Sequence, residues 1–209
     1  MNMTTNHQLN PYAVQLCTLG RWISAKQWVP AGSGDFSIRS DQHSCLITRQ
    51  HKDKGELSPH DLQHLSWADG EARLPAHSSA TSLLHVALYQ ASIQTKVVLH
   101  TQSVAANVLS QHFAGDHHQI SGYAIQSVIT GQQPSQQGCY LAIFDPQQPL
   151  PLLAASIRHR YPQLQQGFLL RGHGLFVWGD TLDQAKRHLE AWEFLLCCEL
   201  ERLKSSGPG

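Results

Sequence analysis

The chain has 209 residues and no formal net charge at neutral pH, because fifteen basic side chains balance fifteen acidic ones. This length suits one domain with a sizeable core, and the balanced charge offers no field that would attract nucleic acid or an anionic membrane. No apolar run approaches the ~18 residues of a membrane span. Five scattered cysteines without a CxxC pair are typical of reduced thiols, so we expect a cytoplasmic protein.

Apolar residues recur along the chain at intervals that distinguish helices from strands. In chain order, the predicted elements are a helix from Pro11 to Ile23, strands at 36–39, 45–48 and 65–67, a helix over 79–88 capped by Ser78-Ser79, a strand at 97–100, a helix over 103–112, a polar loop holding His117 and His118, a loop at 132–138, a strand at 139–144, a helix over 152–161, strands at 168–170 and 175–178, and a helix over 181–203. Interleaved strands and helices indicate one sheet with helices on its faces. The polar ends, 1–8 and 205–209, are expected to be disordered tails around a single domain, 9–204.

Two of the predicted strands stop at a histidine, which is a pattern that can build a binding site. One apolar run ends at His100, and the other passes through Arg171 and Gly172 to His173. A polar residue at a strand end lies at the rim of the sheet, so these two imidazoles can meet over one metal ion. The alternative, which the sequence leaves open, is that each histidine is a hydrogen-bonded residue at a strand end.

Several longer motifs follow one another along nearly the whole chain. They are Gly20-Arg21-Trp22, Trp28-Val29-Pro30-Ala31, Ser33-Gly34-Asp35-Phe36-Ser37, Lys54-Gly55-Glu56-Leu57, Leu84-His85-Val86-Ala87-Leu88-Tyr89, His100-Thr101, Gly122-Tyr123 and Arg171-Gly172-His173-Gly174-Leu175-Phe176-Val177-Trp178-Gly179. With these motifs in this order, the chain resembles the class II aldolase/adducin family. The resemblance implies an α/β fold, a single-domain α/β/α sandwich with a mostly antiparallel central sheet, built into a homotetramer with sites near the subunit contacts.

The resemblance also implies a chemistry, that of the zinc-dependent dehydratases within the family. These carbon–oxygen lyases take a small phosphorylated sugar-like substrate, 5-methylthioribulose 1-phosphate, and form a 2,3-diketo phosphate in methionine salvage. The zinc ligands implied are His100, His173 and residue 102, where this chain carries Gln102 in place of a histidine. Ala124 and Thr81 stand where family members carry an acid–base glutamate and a helix-start glutamate. The implied phosphate contacts, of which the third is an asparagine in the family, are Ser33, Gly34, Asp35, Ser78 and Ser79.

These departures fall on a metal ligand, a proton-transfer position and a phosphate contact. A glutamine amide is a weaker zinc donor than imidazole, and losing a positioned acid or base costs about 10²–10⁴ in rate. We therefore expect a dehydratase whose activity is impaired or lost and whose zinc occupancy is moderate to low, altered by engineering or by divergence. Two alternatives remain open: a repurposed scaffold with a new ligand pocket or reaction, and a non-catalytic oligomeric or binding protein of the same fold. The polar residues expected to line a repurposed pocket are Gln50, His51, Thr81, Ser82, Gln102, Ser127 and His173.

Overall fold

Eight strands and six α-helices form within residues 10–131 and 138–205, the part of the chain that the computed structural model describes. The helices are α1 (Pro11–Ala25), α2 (Ser82–Ala91), α3 (Val104–His112), α4 (Gln126–Thr130), α5 (Leu150–Arg160) and α6 (Leu182–Ser205). The strands are β1 (Asp35–Arg39), β2 (Ser44–Thr48), β3 (Leu62–Ser66), β4 (Val97–Thr101), β5 (His117–Ile120), β6 (Cys139–Phe144), β7 (Gly167–Leu170) and β8 (Gly174–Gly179). The expected tail at 1–8, the loop over 132–137 and the tail residues 206–209 lie outside the described residues, whereas Ser205 ends α6.

One sheet contains all of these strands, in the order β3-β2-β1-β4-β8-β7-β6-β5. Among the described strands only β6 and β7 pair in parallel, so the sheet is mostly antiparallel as expected. β4 lies near the centre, hydrogen-bonded to β1 on one side and to β8 on the other. Its apolar residues therefore become buried on both faces of the sheet.

Helices cover both faces of the sheet, which confirms the α/β/α sandwich. On one face, side chains of α1, α3, α4 and α6 join a core that includes Leu99, and on the other face α2 and α5 pack on a core that includes Val98. Neighbouring strand residues enter different cores because successive side chains point to opposite faces. None of the described helices is long and apolar enough to cross a membrane.

Two local predictions differ from the structure, and one helix was not predicted. The N-cap of α2 is Thr81 rather than Ser78-Ser79, because the hydroxyl of Ser79 instead accepts from the Thr81 N–H in a turn ahead of the helix. His117 and His118 begin the edge strand β5 rather than lying in a loop. The helix α4 went unpredicted, since its five residues are too few to show a helical period.

Candidate active site

One rim of the sheet gathers the strand ends that the sequence singled out. β4 and β7 run in the same direction, because each is antiparallel to β8, so both end at this rim. β1 is antiparallel to β4 and begins there, which places Asp35 directly opposite His100. His173 follows β7 in the turn that leads into β8. The two predicted histidines therefore lie side by side.

The imidazole of His100 is held tightly in this rim. It is buried, and it stacks on the ring of Phe176 with the two centroids 4.1 Å apart. Its Nε2 lies 2.7 Å from the backbone oxygen of His173. A carbonyl only accepts hydrogen bonds, so Nε2 carries the proton and donates. The other nitrogen, Nδ1, is buried with no hydrogen-bond partner among the described residues, and it lies 3.8 Å from Oδ2 of Asp35.

Asp35 supplies the negative charge of the rim. Burial alone would raise the pKa of this carboxyl, but His100 and the hydroxyl of Thr81 lower it to about 2. The Thr81 hydroxyl donates to Oδ2 of Asp35 at 2.9 Å. A carboxylate that accepts such a bond beside an imidazole stays ionised through the neutral range. Any anionic ligand at this rim therefore meets a fixed negative charge.

Two adjoining cavities open at the rim and share Pro30, Ala31, Gly32, His51 and Gln102. The first, of about 450 Å³, has as its further lining Ser33, Gly34, Asp35, Gln50, Ser79, Ala80, Thr81, His100 and His173. The second, of about 700 Å³, has as its further lining Ser24, Gln27, Val29, Asp53 and Val104. Five of the seven residues expected in a repurposed pocket line the first cavity, whereas Ser82 and Ser127 do not.

The predicted phosphate contacts divide between the cavity and its surroundings. Ser33, Gly34 and Asp35 line the first cavity, and so does Ser79 at the turn before α2. The hydroxyl of Ser79 is hydrogen-bonded to that of Thr81, which donates to Asp35. The hydroxyl of Ser33 is buried without a hydrogen-bond partner among the described residues. Ser78 is not part of the lining, and its hydroxyl accepts from the side-chain amide of Gln63.

Ala124, the acid–base position that the resemblance implies, lies far from this rim within one chain. β6 is parallel to β7, and β5 is antiparallel to β6. β5 therefore starts at the same end of the strands as the rim and runs to the opposite end. Ala124 comes after that end and is exposed. One chain therefore does not bring Ala124 to His100 and His173.

The residues present do not make a complete zinc site. A structural or catalytic zinc takes three or four nitrogen, sulfur or anionic oxygen ligands from the protein. The rim offers the two imidazoles, the carboxylate of Asp35 and the neutral amide of Gln102. Oδ2 of Asp35 already accepts from the Thr81 hydroxyl, and Nε2 of His100 already donates to a carbonyl. Within the described residues, no group of three His, Cys, Asp or Glu side chains is placed to hold a metal ion.

Three buried ionisable residues near the rim were not among the predicted site residues. Lys54 lies behind the turn at Gly32, and His85 hydrogen-bonds through Nδ1 to the hydroxyl of Ser37 at 2.8 Å. Burial lowers the pKa of His85 to about 3, so it is neutral. Glu193 was detectable in the sequence, because it is a charged residue beside Trp192 on the apolar stripe of the last helix.

Glu193 holds the strand end that presents Gln102. The hydroxyl of Thr101 donates to Oε1 of Glu193 at 2.8 Å. Burial raises the pKa of this carboxyl to about 7, and the hydroxyls of Ser103 and Thr101 limit the rise. Since Thr101 and Ser103 flank Gln102, one carboxyl of α6 supports both neighbours of the rim position.

Comparison with known proteins agrees with this architecture. Residues 14–200 match the family model described as Class II Aldolase and Adducin N-terminal domain. A methylthioribulose-1-phosphate dehydratase from Yersinia enterocolitica is 39% identical over 203 residues, which are 96% of this chain and 94% of that protein. A methylthioribulose-1-phosphate dehydratase from Pectobacterium atrosepticum is 40% identical over 202 residues, or 96% of this chain and 97% of that protein.

Solved structures with lower sequence identity share the fold. The L-fuculose-1-phosphate aldolase from Thermus thermophilus superimposes with a TM-score of 0.73 at 22% identity, covering 94% of this chain and 97% of that one. The L-fuculose 1-phosphate aldolase from Glaciozyma antarctica gives a TM-score of 0.70 at 14% identity, covering 94% of this chain and 74% of that one. These two likenesses show the fold alone.

Proposed function

The chain belongs to the class II aldolase and adducin family, and from that premise we propose that it is a methylthioribulose-1-phosphate dehydratase with an attenuated active site. The observation that carries the dehydratase assignment is identity near 40% with dehydratases over nearly the whole chain. The attenuation is argued from Gln102 at the rim and from Ala124, which has no group that transfers protons.

The cavity beside His100 is the proposed substrate site. The phosphate end of 5-methylthioribulose 1-phosphate would lie against Ser33, Gly34 and Ser79, whose hydroxyls and backbone line one end of the cavity. The sugar carbons would then extend toward Gln102, where the two cavities meet. Dehydration needs a proton removed from one carbon and a hydroxide lost from its neighbour. The lining of this chain holds imidazoles but no carboxyl at the position that the family uses.

The cellular setting is part of the same proposal. It comprises a homotetramer working in methionine salvage in the cytoplasm, as the family resemblance implies. The five cysteines are free thiols, which is the state expected in a reducing compartment.

The test is turnover of 5-methylthioribulose 1-phosphate, measured beside the dehydratase from Yersinia enterocolitica. We expect the parent to be slower by at least about 10². A chain carrying Gln102→His and Ala124→Glu together should recover much of that rate when zinc is supplied. Parent turnover equal to that of the relative would contradict the attenuation. A doubly substituted chain that folds, takes up zinc and stays inactive would contradict the dehydratase assignment.

A repurposed pocket is the second candidate, and the composition of the lining favours it. Three side-chain amides, those of Gln27, Gln50 and Gln102, reach the two cavities from separate segments, and no lysine or arginine lines either cavity. Amides suit an uncharged polar ligand better than a phosphate dianion. Stabilisation of the parent by an uncharged polyol, with none by the sugar phosphate, would favour this candidate.

A further inference from the structure

Lys54 is an ammonium buried without an ion-pair partner in the described chain. Its side chain is fully buried, which is rare for lysine. Nζ donates to the backbone oxygens of Gly32 at 2.8 Å and Lys52 at 2.9 Å, and no carboxylate of the described residues lies within 4.0 Å of it. Burial lowers the pKa of Lys54, while Asp35 and Asp53 raise it from farther away. Such a charge costs free energy to bury, so its position requires an explanation.

The turn that Lys54 holds is fixed between two backbones. Gly32 and Gly34 both have positive φ, 71° and 75°. A Cβ on Gly32 would lie 3.0 Å from the oxygen of Lys52, and a Cβ on Gly34 would collide with the oxygen of His100. The segment after Lys54 is fixed in the same way, since a Cβ on Gly20 of α1 would collide with the oxygen of Lys54. These close backbone contacts therefore fix the distance between the Lys54 ammonium and the Gly32–Gly34 turn.

On the side of the turn that lines the first cavity, one buried hydroxyl has no hydrogen-bond partner among the described residues and no lysine or arginine is present. The hydroxyl of Ser33 is buried and unpaired among the described residues, although a buried hydroxyl normally finds a partner. Asp35 adds a negative charge to the same wall, and no lysine or arginine lines that cavity. A cation behind this wall would offset the charge of Asp35 for an anion at the turn, and Lys54 is a cation placed there.

We infer that Lys54 is a positioning residue for a phosphate monoester, a fixed positive charge behind the Gly32–Gly34 turn that offsets Asp35 and sets the shape of the turn. The inference rests on the proposed function, because it assigns the turn to the phosphate end of the substrate. Lys54 acts through the Gly32 carbonyl and through its field, and no direct contact with the phosphate is required. The positive charge of Lys54 thus allows the cavity to bind an anion although Asp35 lies on its wall.

The test compares Lys54→Met with Lys52→Met in binding of inorganic phosphate, followed by calorimetry. Lys52 is the matched control, because its ammonium lies two residues away, is half exposed and pairs with Asp61 at 2.9 Å. We expect Lys54→Met to weaken phosphate binding about tenfold or more, and Lys52→Met by less than about twofold. Equal affinity in the parent and Lys54→Met, or no phosphate binding by the parent, would overturn the inference.

A measurement on the parent covers the case in which Lys54→Met does not fold. In protein labelled with ¹³C at the lysine ε-carbon, phosphate should raise the pKa of Lys54, since a nearby dianion favours the ammonium form. An unmoved Lys54 titration would overturn the inference. Turnover with a KM unaltered by Lys54→Met would overturn it while leaving the dehydratase assignment intact. Phosphate binding that depends on Lys54, without any turnover, would do the reverse.

Discussion

At Gln102 the position of the backbone does not depend on the chemistry of the side chain. Its N–H donates to the backbone oxygen of Trp28 at 2.7 Å. A Cβ on Gly174 would lie 3.0 Å from the Cα of Gln102, so the turn before β8 packs directly against it. Thr101 beside it is tied to Glu193. The backbone at position 102 is thus held by its surroundings whichever side chain it carries.

Gln102→His should therefore change the metal content of the protein and leave the fold unchanged. We expect purified parent to contain well below one zinc per chain and the variant to contain about one, because imidazole is a far better zinc donor than an amide. Elemental analysis after dialysis measures this. The control is Gln27→His, which lines only the second cavity and should not raise the zinc content. About one zinc per chain in the parent would mean that another ligand completes the site.

At the scale of elements, a buried carboxyl of α6 accepts a hydrogen bond from the end of β4. Glu193 is almost completely buried, and one of its oxygens has no partner among the described residues. The hydroxyl of Ser103, on the other side of Gln102, also caps the first turn of α3 by accepting from the Ala106 N–H. α6, β4 and α3 thus meet at a buried place where a charged carboxylate is unfavourable. The free energy of unfolding therefore depends on whether Glu193 is protonated.

Glu193→Gln should flatten the pH dependence of stability. The pKa of Glu193 is raised from 4.5 to about 7 in the folded chain, so between these values the folded state binds a proton that the unfolded state releases. Stability therefore falls as pH rises through this window, by up to about 3 kcal/mol, and levels off above it. Denaturant unfolding at pH 5 and pH 8 should show a smaller fall for the variant.

The control for that comparison is Glu201→Gln, on the exposed side of α6, where Glu201 pairs with Lys204. Exposed pairs of this kind contribute little, so this variant should keep the parental profile. An unchanged fall in Glu193→Gln would show that another group is responsible for the dependence.

On the scale of the whole molecule, the sheet separates two positions that the dehydratase chemistry needs together. His100 lies at the rim, and Ala124 lies beyond the opposite ends of the strands. A carboxyl at position 124 can therefore reach a cavity only from another copy of the chain. This geometry agrees with the resemblance-based expectation of an oligomer with sites near the subunit contacts.

Mixed oligomers should show this division directly. Chains with Gln102→His alone and chains with Ala124→Glu alone are co-expressed with different tags, and the mixed species is purified. With zinc supplied, its turnover of 5-methylthioribulose 1-phosphate should exceed that of the oligomer of either variant alone. One chain then supplies the zinc ligand, and its neighbour supplies the carboxyl. Turnover no higher than the mean of the two separate oligomers would place both groups in the same chain.

Local sequence pattern predicted what depends on neighbours along the chain. The strand ending at His100, the two strands at 36–39 and 45–48 and the long last helix all follow from periodicity, which depends on a few adjacent residues. The pairing that sets Asp35 opposite His100 joins distant segments, and so does the contact between Glu193 and Thr101. The buried place of Lys54 depends on the packing of α1 against it, for which its own segment carries no signal.

The central position of β4 also fixes when the site can form during synthesis. Its neighbour β1 is made earlier, but β8 and α6 emerge from the ribosome later than β4. Until then the apolar run Val97–Leu99 presents an unpaired edge, which is the kind of surface that aggregates or recruits chaperones. Pairings between distant segments are also slow to form. A nascent chain halted before Gly174 would therefore display His100 without its cavity, and the binding site would be completed only after β8 has been made.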